Sequence, residues 1–160
     1  MKYLQKGQSI IEFALVAPLF LMLVFGMMYG GMMMADYLAL KNLAGNVARI
    51  RSNVSTNEEA TAKIQTAIKK TTLIYCETTD ISNNVLPNET GWEKIQGTAN
   101  DEPSTDDKKM KIAVAYNYKY DTDTKISTVE VQVVSCPKKL PSIIGALQPD
   151  KYLAKGSAVF

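Results

Sequence analysis

Glu12 is the only acidic residue in the apolar N-terminal part of the chain, and it follows a short basic leader, residues 1–7. A carboxylate inside the hydrocarbon of a bilayer costs about 2.5–3.5 kcal/mol on insertion scales, so it normally has a partner of opposite charge. Cleavage of the chain after Gly7 would create an ammonium group on Gln8, four residues before Glu12. This amine is the partner that we expect for the carboxylate.

Cys76 and Cys136 are the two cysteines of the chain, and both lie in stretches whose β-branched and aromatic residues predict strands. Neither belongs to a C-x-x-C pair, which is the spacing of many zinc and redox sites. In an oxidising compartment, two such cysteines predict a disulfide rather than a metal site. Closing a loop of about 60 residues would contribute about 4 kcal/mol on the chain-entropy model.

The sequence offers little for catalysis. It has no histidine, which removes the commonest general base and metal ligand. It also lacks a P-loop, a dinucleotide-binding fingerprint and a G-x-S-x-G elbow. We therefore expect no catalytic residue, no metal site and no cofactor, and we interpret the chain as the substrate of an enzyme rather than as an enzyme.

The element that must position Glu12 is a long apolar helix. Residues 13–35 contain no formal charge. At 1.5 Å per residue they form a helix of roughly 34 Å, enough to cross the ~30 Å hydrocarbon core of a bilayer. The run is too long for the apolar core of a secretory signal peptide. Residues 8–35 are therefore predicted to be a transmembrane helix.

Gly26 and Gly30 form a G-x-x-x-G pair inside the predicted span. Small residues at this spacing let two membrane helices approach closely, so the pair is a candidate helix-packing face. Pro18 removes one helical hydrogen bond and is expected to kink or loosen the span locally.

The segment GQSIIEFALVAPLFL, residues 7–21, carries a family resemblance. A basic leader, a glycine, four residues and then Glu-Phe at the start of an apolar helix is similar to the processing site of type IV pilin-like proteins. This version resembles the TadE-like pseudopilins of the tight-adherence, or Flp, pilus system. Major Flp pilins have Glu-Tyr at this place and are shorter, so the resemblance points to a minor pilin or pseudopilin.

The resemblance implies how the N-terminus is matured. A prepilin peptidase would cut after Gly7 on the cytoplasmic face, Gln8 would become the new N-terminus, and Glu12 would be the fifth-position acid that supports processing or assembly. Phe13 is its aromatic neighbour. The implied partners are this peptidase, other pilins or pseudopilins, the inner-membrane assembly platform and membrane lipid.

Charge supports an N-terminus in the cytoplasm. Lys2, Lys6 and the amino terminus precede the span, and positive charge favours the cytoplasmic side. The rest of the chain would then lie outside the inner membrane. Loss of the two leader lysines would bring the formal net charge from +2 to zero, so we expect no nucleic-acid partner.

Beyond the span, apolar residues recur at three- and four-residue steps, which predicts an amphipathic extension of the helix over residues 36–51. Residues 52–160 are predicted to form a head domain, so that the whole chain is α+β. The predicted elements of the head are a helix at 57–70, a strand at 71–79, a loop at 80–109, an antiparallel hairpin of strands 110–121 and 127–136, a helical turn within 137–149, and a last strand at 152–160.

Two local features of the head allow more than one interpretation. Asp121 and Asp123 imitate the start of a calcium loop, but the glycine and glutamate that such a loop needs do not follow, so a turn is predicted. Trp92 is the only tryptophan, and we expect it to pack against the sheet, with contact to a partner as the alternative.

A function from a different class also fits the sequence. The chain could be an uncleaved membrane protein with one span, whose head binds a surface ligand or partner. The state of the N-terminus separates the two hypotheses, because only the pilin-like protein loses residues 1–7.

Overall fold

The computed structural model describes residues 2–74, 76, 87, 91–98, 111–136 and 151–159, with side chains from residue 10 onward except those of residues 98 and 111. The chain divides into two compact units, residues 1–34 and residues 35–160. The described elements, in chain order, are helices α1 (Lys2–Asn53) and α2 (Asn57–Lys69) and strands β1 (Trp92–Thr98), β2 (Lys111–Asp121), β3 (Ile126–Ser135) and β4 (Tyr152–Val159). This is the α+β class that the sequence predicts.

Helix α1 is continuous from Lys2 to Asn53, with Pro18 inside it. Its last 18 residues carry the predicted amphipathic stripe, in which Leu40, Ala44 and Val47 are fully buried. Residues four and three apart lie on one face of a helix, so this stripe forms one wall of the head's core.

Helix α2 follows after a short connection and buries Ala60, Ile64 and Ile68, which recur every four residues. The acidic residues Glu58 and Glu59 in its first turn and Lys69 in its last turn suit the helix dipole. The helix predicted at 57–70 is therefore confirmed.

The four strands form one antiparallel sheet in the order β1-β2-β3-β4. Because side chains alternate along a strand, the register fixes which residues share a face. One face carries the fully buried Val114 of β2 and Val133 of β3, which pair with each other. The same face presents Gly97 to Ile68 of α2 and Gly156 to Ala44 of α1, so we call it the helix-facing side.

The opposite side of the sheet is also buried over part of its area. Ala113, Ala115 and Val134 have no exposed surface and form a cluster, with Trp92 and Cys136 packed against it. The expected packing of Trp92 against the sheet is therefore confirmed, although Trp92 itself begins a strand.

The predicted hairpin is confirmed, since β2 and β3 pair from Asp121 and Ile126 onward. Asp121 Oδ1 accepts hydrogen bonds from the backbone N–H groups of Asp123, at 2.9 Å, and Thr124, at 3.4 Å. Hydrogen bonds from Thr124 and Asp123 hold the pKa of the exposed Asp121 carboxyl below its ordinary value. Lys125 closes the turn with φ 56°. These contacts are those of a turn, as predicted.

Two predictions for the middle of the head are wrong. Strand β1 lies inside the stretch predicted as a loop, because its helix-facing positions are Glu93, Ile95 and Gly97, and only Ile95 gives the apolar signal of a strand. In the strand predicted at 71–79, residues 71–74 are not a strand and Cys76 forms a β-bridge, while residues 75 and 77–79 lie outside the described residues. The helical turn predicted within 137–149 lies outside the described residues.

Gly156 offers a direct test of the helix–sheet packing. A Cβ at this position would lie 2.9 Å from the backbone carbonyl carbon of Ala44, and a helix backbone cannot move aside as a side chain can. Gly156→Ala should therefore lower the free energy of unfolding of the head by about 1–3 kcal/mol, the usual range for overpacking. The measurement is urea unfolding of the full chain in non-ionic micelles, followed by Trp92 fluorescence.

Gly45 is the matched control, because it is the next residue of α1 after Ala44 and a Cβ there would meet nothing within 4 Å. Gly45→Ala should raise stability by about 0.5–1 kcal/mol through the better helix propensity of alanine. Equal effects of the two substitutions would contradict the close approach of α1 and β4.

Candidate functional site

The predicted processing residues all lie on α1. Gly7, Gln8, Glu12 and Phe13 belong to the helix that begins at Lys2, and the side chains of Glu12 and Phe13 are exposed. Gln8 and Glu12 are four residues apart, so they occupy the same face of the helix, one turn from each other. The structure thus has the backbone geometry for the predicted pairing, while the cleavage itself remains a prediction.

The first unit is a helix with an exposed apolar surface. α1 is long and apolar enough to cross a membrane, and none of its most apolar window is buried. Large apolar side chains such as Phe20, Leu21 and Met22 are at least half exposed. Among the described residues, a Cβ at Gly26 or Gly30 would meet nothing within 4 Å, so these residues leave the candidate helix-packing face open.

Asp36 lies at the start of the second unit, and its side chain is completely buried. Its Oδ1 accepts a hydrogen bond of 2.6 Å from the backbone N–H of Ile74, and its Oδ2 accepts one of 3.5 Å from the thiol of Cys76. One carboxylate therefore binds two residues of the segment that follows α2 and attaches this segment to α1.

The structure shows no disulfide between Cys76 and Cys136, which are both thiols, so the predicted disulfide is not supported. The Cys76 thiol interacts with Asp36 and with the side chain of Ser135, whereas Cys136 packs against the Ala113 cluster on the opposite side of the sheet. Consecutive residues of an extended chain point to opposite faces, so Ser135, which interacts with Cys76, and Cys136 lie on different sides of the sheet. Burial raises the pKa of Cys76 to about 12, which makes it unreactive at neutral pH.

A polar cluster joins the end of α1 to the sheet. Arg51 donates hydrogen bonds of 2.9 Å to Val54 O and to Asn57 Oδ1, and its guanidinium carbon lies 5.0 Å from the centre of the Tyr118 ring. Glu93 accepts from Asn57 at 2.7 Å and from the hydroxyl of Tyr116. Burial, and then the bond to Glu93, raise the pKa of Tyr116 to about 12. The cluster connects α1, α2, β1 and β2.

The sequence contained signals for both polar groups, but they were weaker than the apolar pattern. Asp36 precedes Leu40, Leu43 and Val47 by four, seven and eleven residues, so it occupies the buried stripe of α1. Arg51 lies near the end of the same helix, four residues after Val47. A charged residue on an apolar stripe indicates a buried partner, and this partner is not identifiable from sequence alone.

Among the described residues, one long exposed apolar helix that could cross a membrane and a small α+β head define the class, which is that of a membrane-anchored protein with a folded head. Residues 7–49 match the family model described as TadE-like protein. Over this segment the chain is similar to the TadE-like family, as its glycine and Glu-Phe motif indicated, and that family is connected with the tight-adherence pilus and its other components. The family is structural rather than enzymatic. Comparisons with curated proteins and with solved structures gave no match.

Substitution of Asp36 should show how much its carboxylate contributes to the head. Asp36→Ala would remove the acceptor of the part-buried hydrogen bond from the Ile74 N–H and should cost up to about 1–3 kcal/mol. Asp36→Asn keeps an oxygen at the same place and should cost clearly less. The measurement is urea unfolding in non-ionic micelles, and equal stabilities of the two variants would show that the oxygen is not needed.

The pKa of Tyr116 predicts how stability depends on alkaline pH. The folded head keeps this proton up to about pH 12, whereas the unfolded chain releases it near its ordinary value of 10.0. The stabilising contribution is therefore complete below pH 10 and is lost as the pH rises through 12. Tyr116→Phe should make the decline of unfolding free energy across this range shallower.

The matched control is Tyr120→Phe, which removes an exposed hydroxyl from the same strand. This variant should decline with pH as the unmodified protein does. If Tyr116→Phe follows the same curve as the control, the hydroxyl of Tyr116 does not hold its proton in the way described.

Proposed function

We propose that the protein is a membrane-anchored minor pilin or pseudopilin that takes part in assembly of a Flp-type tight-adherence pilus. A prepilin peptidase removes residues 1–7 by cutting after Gly7. The observation that supports this function best is the helical spacing of Gln8 and Glu12 at the start of a long exposed apolar helix. The match of residues 7–49, which include Gln8 and Glu12, to the TadE-like family also supports it.

Cleavage would give Glu12 a function at the new end of the helix. A helix that begins at Gln8 has unsatisfied N–H groups and the positive end of its dipole in the first turn, next to the new ammonium group. Glu12 is one turn further on and supplies the opposite charge. The pair can form within one subunit or between neighbours, so that the helix end moves out of the bilayer without an unpaired charge.

The proposed orientation has the N-terminus in the cytoplasm and the head outside the bacterial inner membrane. The lysines of the leader support this orientation through the bias of positive charge towards the cytoplasmic side. The open surface at Gly26 and Gly30 would allow close packing against the helices of other pilins or pseudopilins.

Intact-mass measurement of the membrane-extracted protein tests the proposal. In cells with a prepilin peptidase the mature chain should begin at Gln8, and without the peptidase it should keep residues 1–7. Gly7→Leu should prevent cleavage, because its side chain would lie at the scissile bond. A chain that begins at Met1 in the presence of the peptidase would instead indicate the uncleaved membrane protein whose head binds a partner.

Glu12→Gln removes the negative charge of this residue and keeps its size, so it tests the charge alone. The variant should reduce maturation, pilus production or both, because the Gln8 ammonium loses its partner, and Glu12→Asp should restore part of the loss. Glu58→Gln is the control, since it neutralises an exposed carboxylate of α2 outside the apolar helix. Normal maturation together with normal pili in Glu12→Gln would exclude the proposed charge pairing.

A further inference from the structure

The exposed surface of α1 stays free of charge beyond the end of the predicted span. Asp36 ends the uncharged run in the sequence, but its carboxylate is completely buried and hydrogen-bonded to Ile74. The next charged residue is Lys41, which is exposed. Between Glu12 and Lys41, where the structure describes every residue, no charged side chain is exposed.

This longer surface matches the full thickness of a bilayer. A helix of residues 13–40 is about 42 Å long at 1.5 Å per residue. The hydrocarbon core of a bilayer measures about 30 Å, and the bilayer with its headgroup layers about 40–45 Å. If the apolar helix fills the core, residues 36–40 lie at the level of the headgroups, where Lys41 can reach lipid phosphate.

Three exposed apolar side chains occur at this level. Tyr37 and Leu38 follow Asp36 on α1 and are 37% and 45% exposed. Ile74 belongs to the segment after α2 and is 56% exposed. Its backbone N–H lies 2.6 Å from the Asp36 carboxylate, so it is held beside the same turn of α1. Tyrosine and apolar side chains of this kind are favoured at the boundary between headgroups and hydrocarbon.

We propose that Tyr37, Leu38 and Ile74 form a juxtamembrane surface that contacts the phospholipid boundary of the membrane that α1 crosses. The inference rests on the proposed membrane anchoring and adds a second lipid contact, made by the head. Asp36 positions this contact because its bond to Ile74 places the segment after α2 next to the lipid. The head is thereby fixed at one depth.

The opposite end of the head provides an internal reference. Arg51 lies fifteen residues after Asp36 on α1, which is about 22 Å along the helix axis. The Tyr118 ring packs on Arg51, and Ile126 lies beyond Tyr118 at the turn between β2 and β3. Ile126 is 41% exposed and Ile74 is 56% exposed, so the two isoleucines are both accessible to solvent. They differ in position, because Ile126 lies at the far end of the head.

Quenching of tryptophan fluorescence by lipid tests the proposal. The full chain with Trp92→Phe is reconstituted in phosphatidylcholine vesicles, with or without bromine near the headgroup end of the acyl chains. Single tryptophans are introduced as Ile74→Trp, Leu38→Trp, Ile126→Trp and Leu21→Trp. The first two should lose emission in brominated vesicles, Leu21→Trp should lose it as the marker of the span, and Ile126→Trp should not.

Each outcome decides a separate question. Quenching of Leu21→Trp with unquenched Ile74→Trp and Leu38→Trp overturns the juxtamembrane surface and leaves the anchor intact. Absence of quenching at Leu21→Trp overturns both. In an Asp36→Ala background, Ile74→Trp should lose its quenching while Leu38→Trp keeps it, and unchanged quenching at Ile74→Trp would overturn the positioning function of Asp36. Urea unfolding of each variant confirms that the head is folded.

Discussion

The hydrocarbon core of a bilayer offers no partner to a charged group, and this constraint applies to the two carboxylates of α1, Glu12 and Asp36. At one end Glu12 is exposed, and a pairing with an amine at Gln8 requires cleavage of the chain. At the other end of the uncharged run, Asp36 is buried and accepts hydrogen bonds from Ile74 and Cys76 of the head. The two carboxylates thus obtain their partners in different ways. Glu12 would gain an amine through the proposed cleavage, whereas Asp36 gains hydrogen-bond donors when the head folds.

A buried carboxylate also needs hydrogen-bond donors, and this requirement explains how the head is attached to the last part of α1. Carboxylates are costly to bury without hydrogen bonds, so burial of Asp36 requires the segment around Ile74 to be in place. At the far end, Arg51 and Glu93 contact Asn57 and two tyrosines, which join both helices to the sheet. Apolar packing between Ala44 and Gly156 lies between these polar contacts. The polar groups therefore fix the two ends of a core whose apolar part supplies most of the burial.

The parts of the fold with strong periodicity could be predicted from the sequence. The uncharged run, the stripe of Leu40 and Val47, the hairpin of β2 and β3 and the last strand all follow from spacing and residue type. Strand β1 could not be predicted, since Glu93 contacts Tyr116 and Gly97 accommodates Ile68, and both contacts come from distant residues. The predicted disulfide finds no support in the structure, where the Cys76 thiol interacts with Asp36 and Cys136 packs against the Ala113 cluster. The processing residues rest on a local motif, whereas Asp36 becomes a candidate only when its burial is known.

The glycines show how differently the two units obtain their contacts. In the second unit, the space at Gly97 and Gly156 is occupied by Ile68 and Ala44, so these glycines serve packing that is complete within the chain. In the first unit, the space around Gly26 and Gly30 is open. Exposure of an apolar helix to water is unfavourable in free energy, so such a helix requires lipid or other helices around it. The contacts of the head are thus made within the second unit, whereas the exposed helix needs lipid or other helices around it, which suits the proposed membrane anchor.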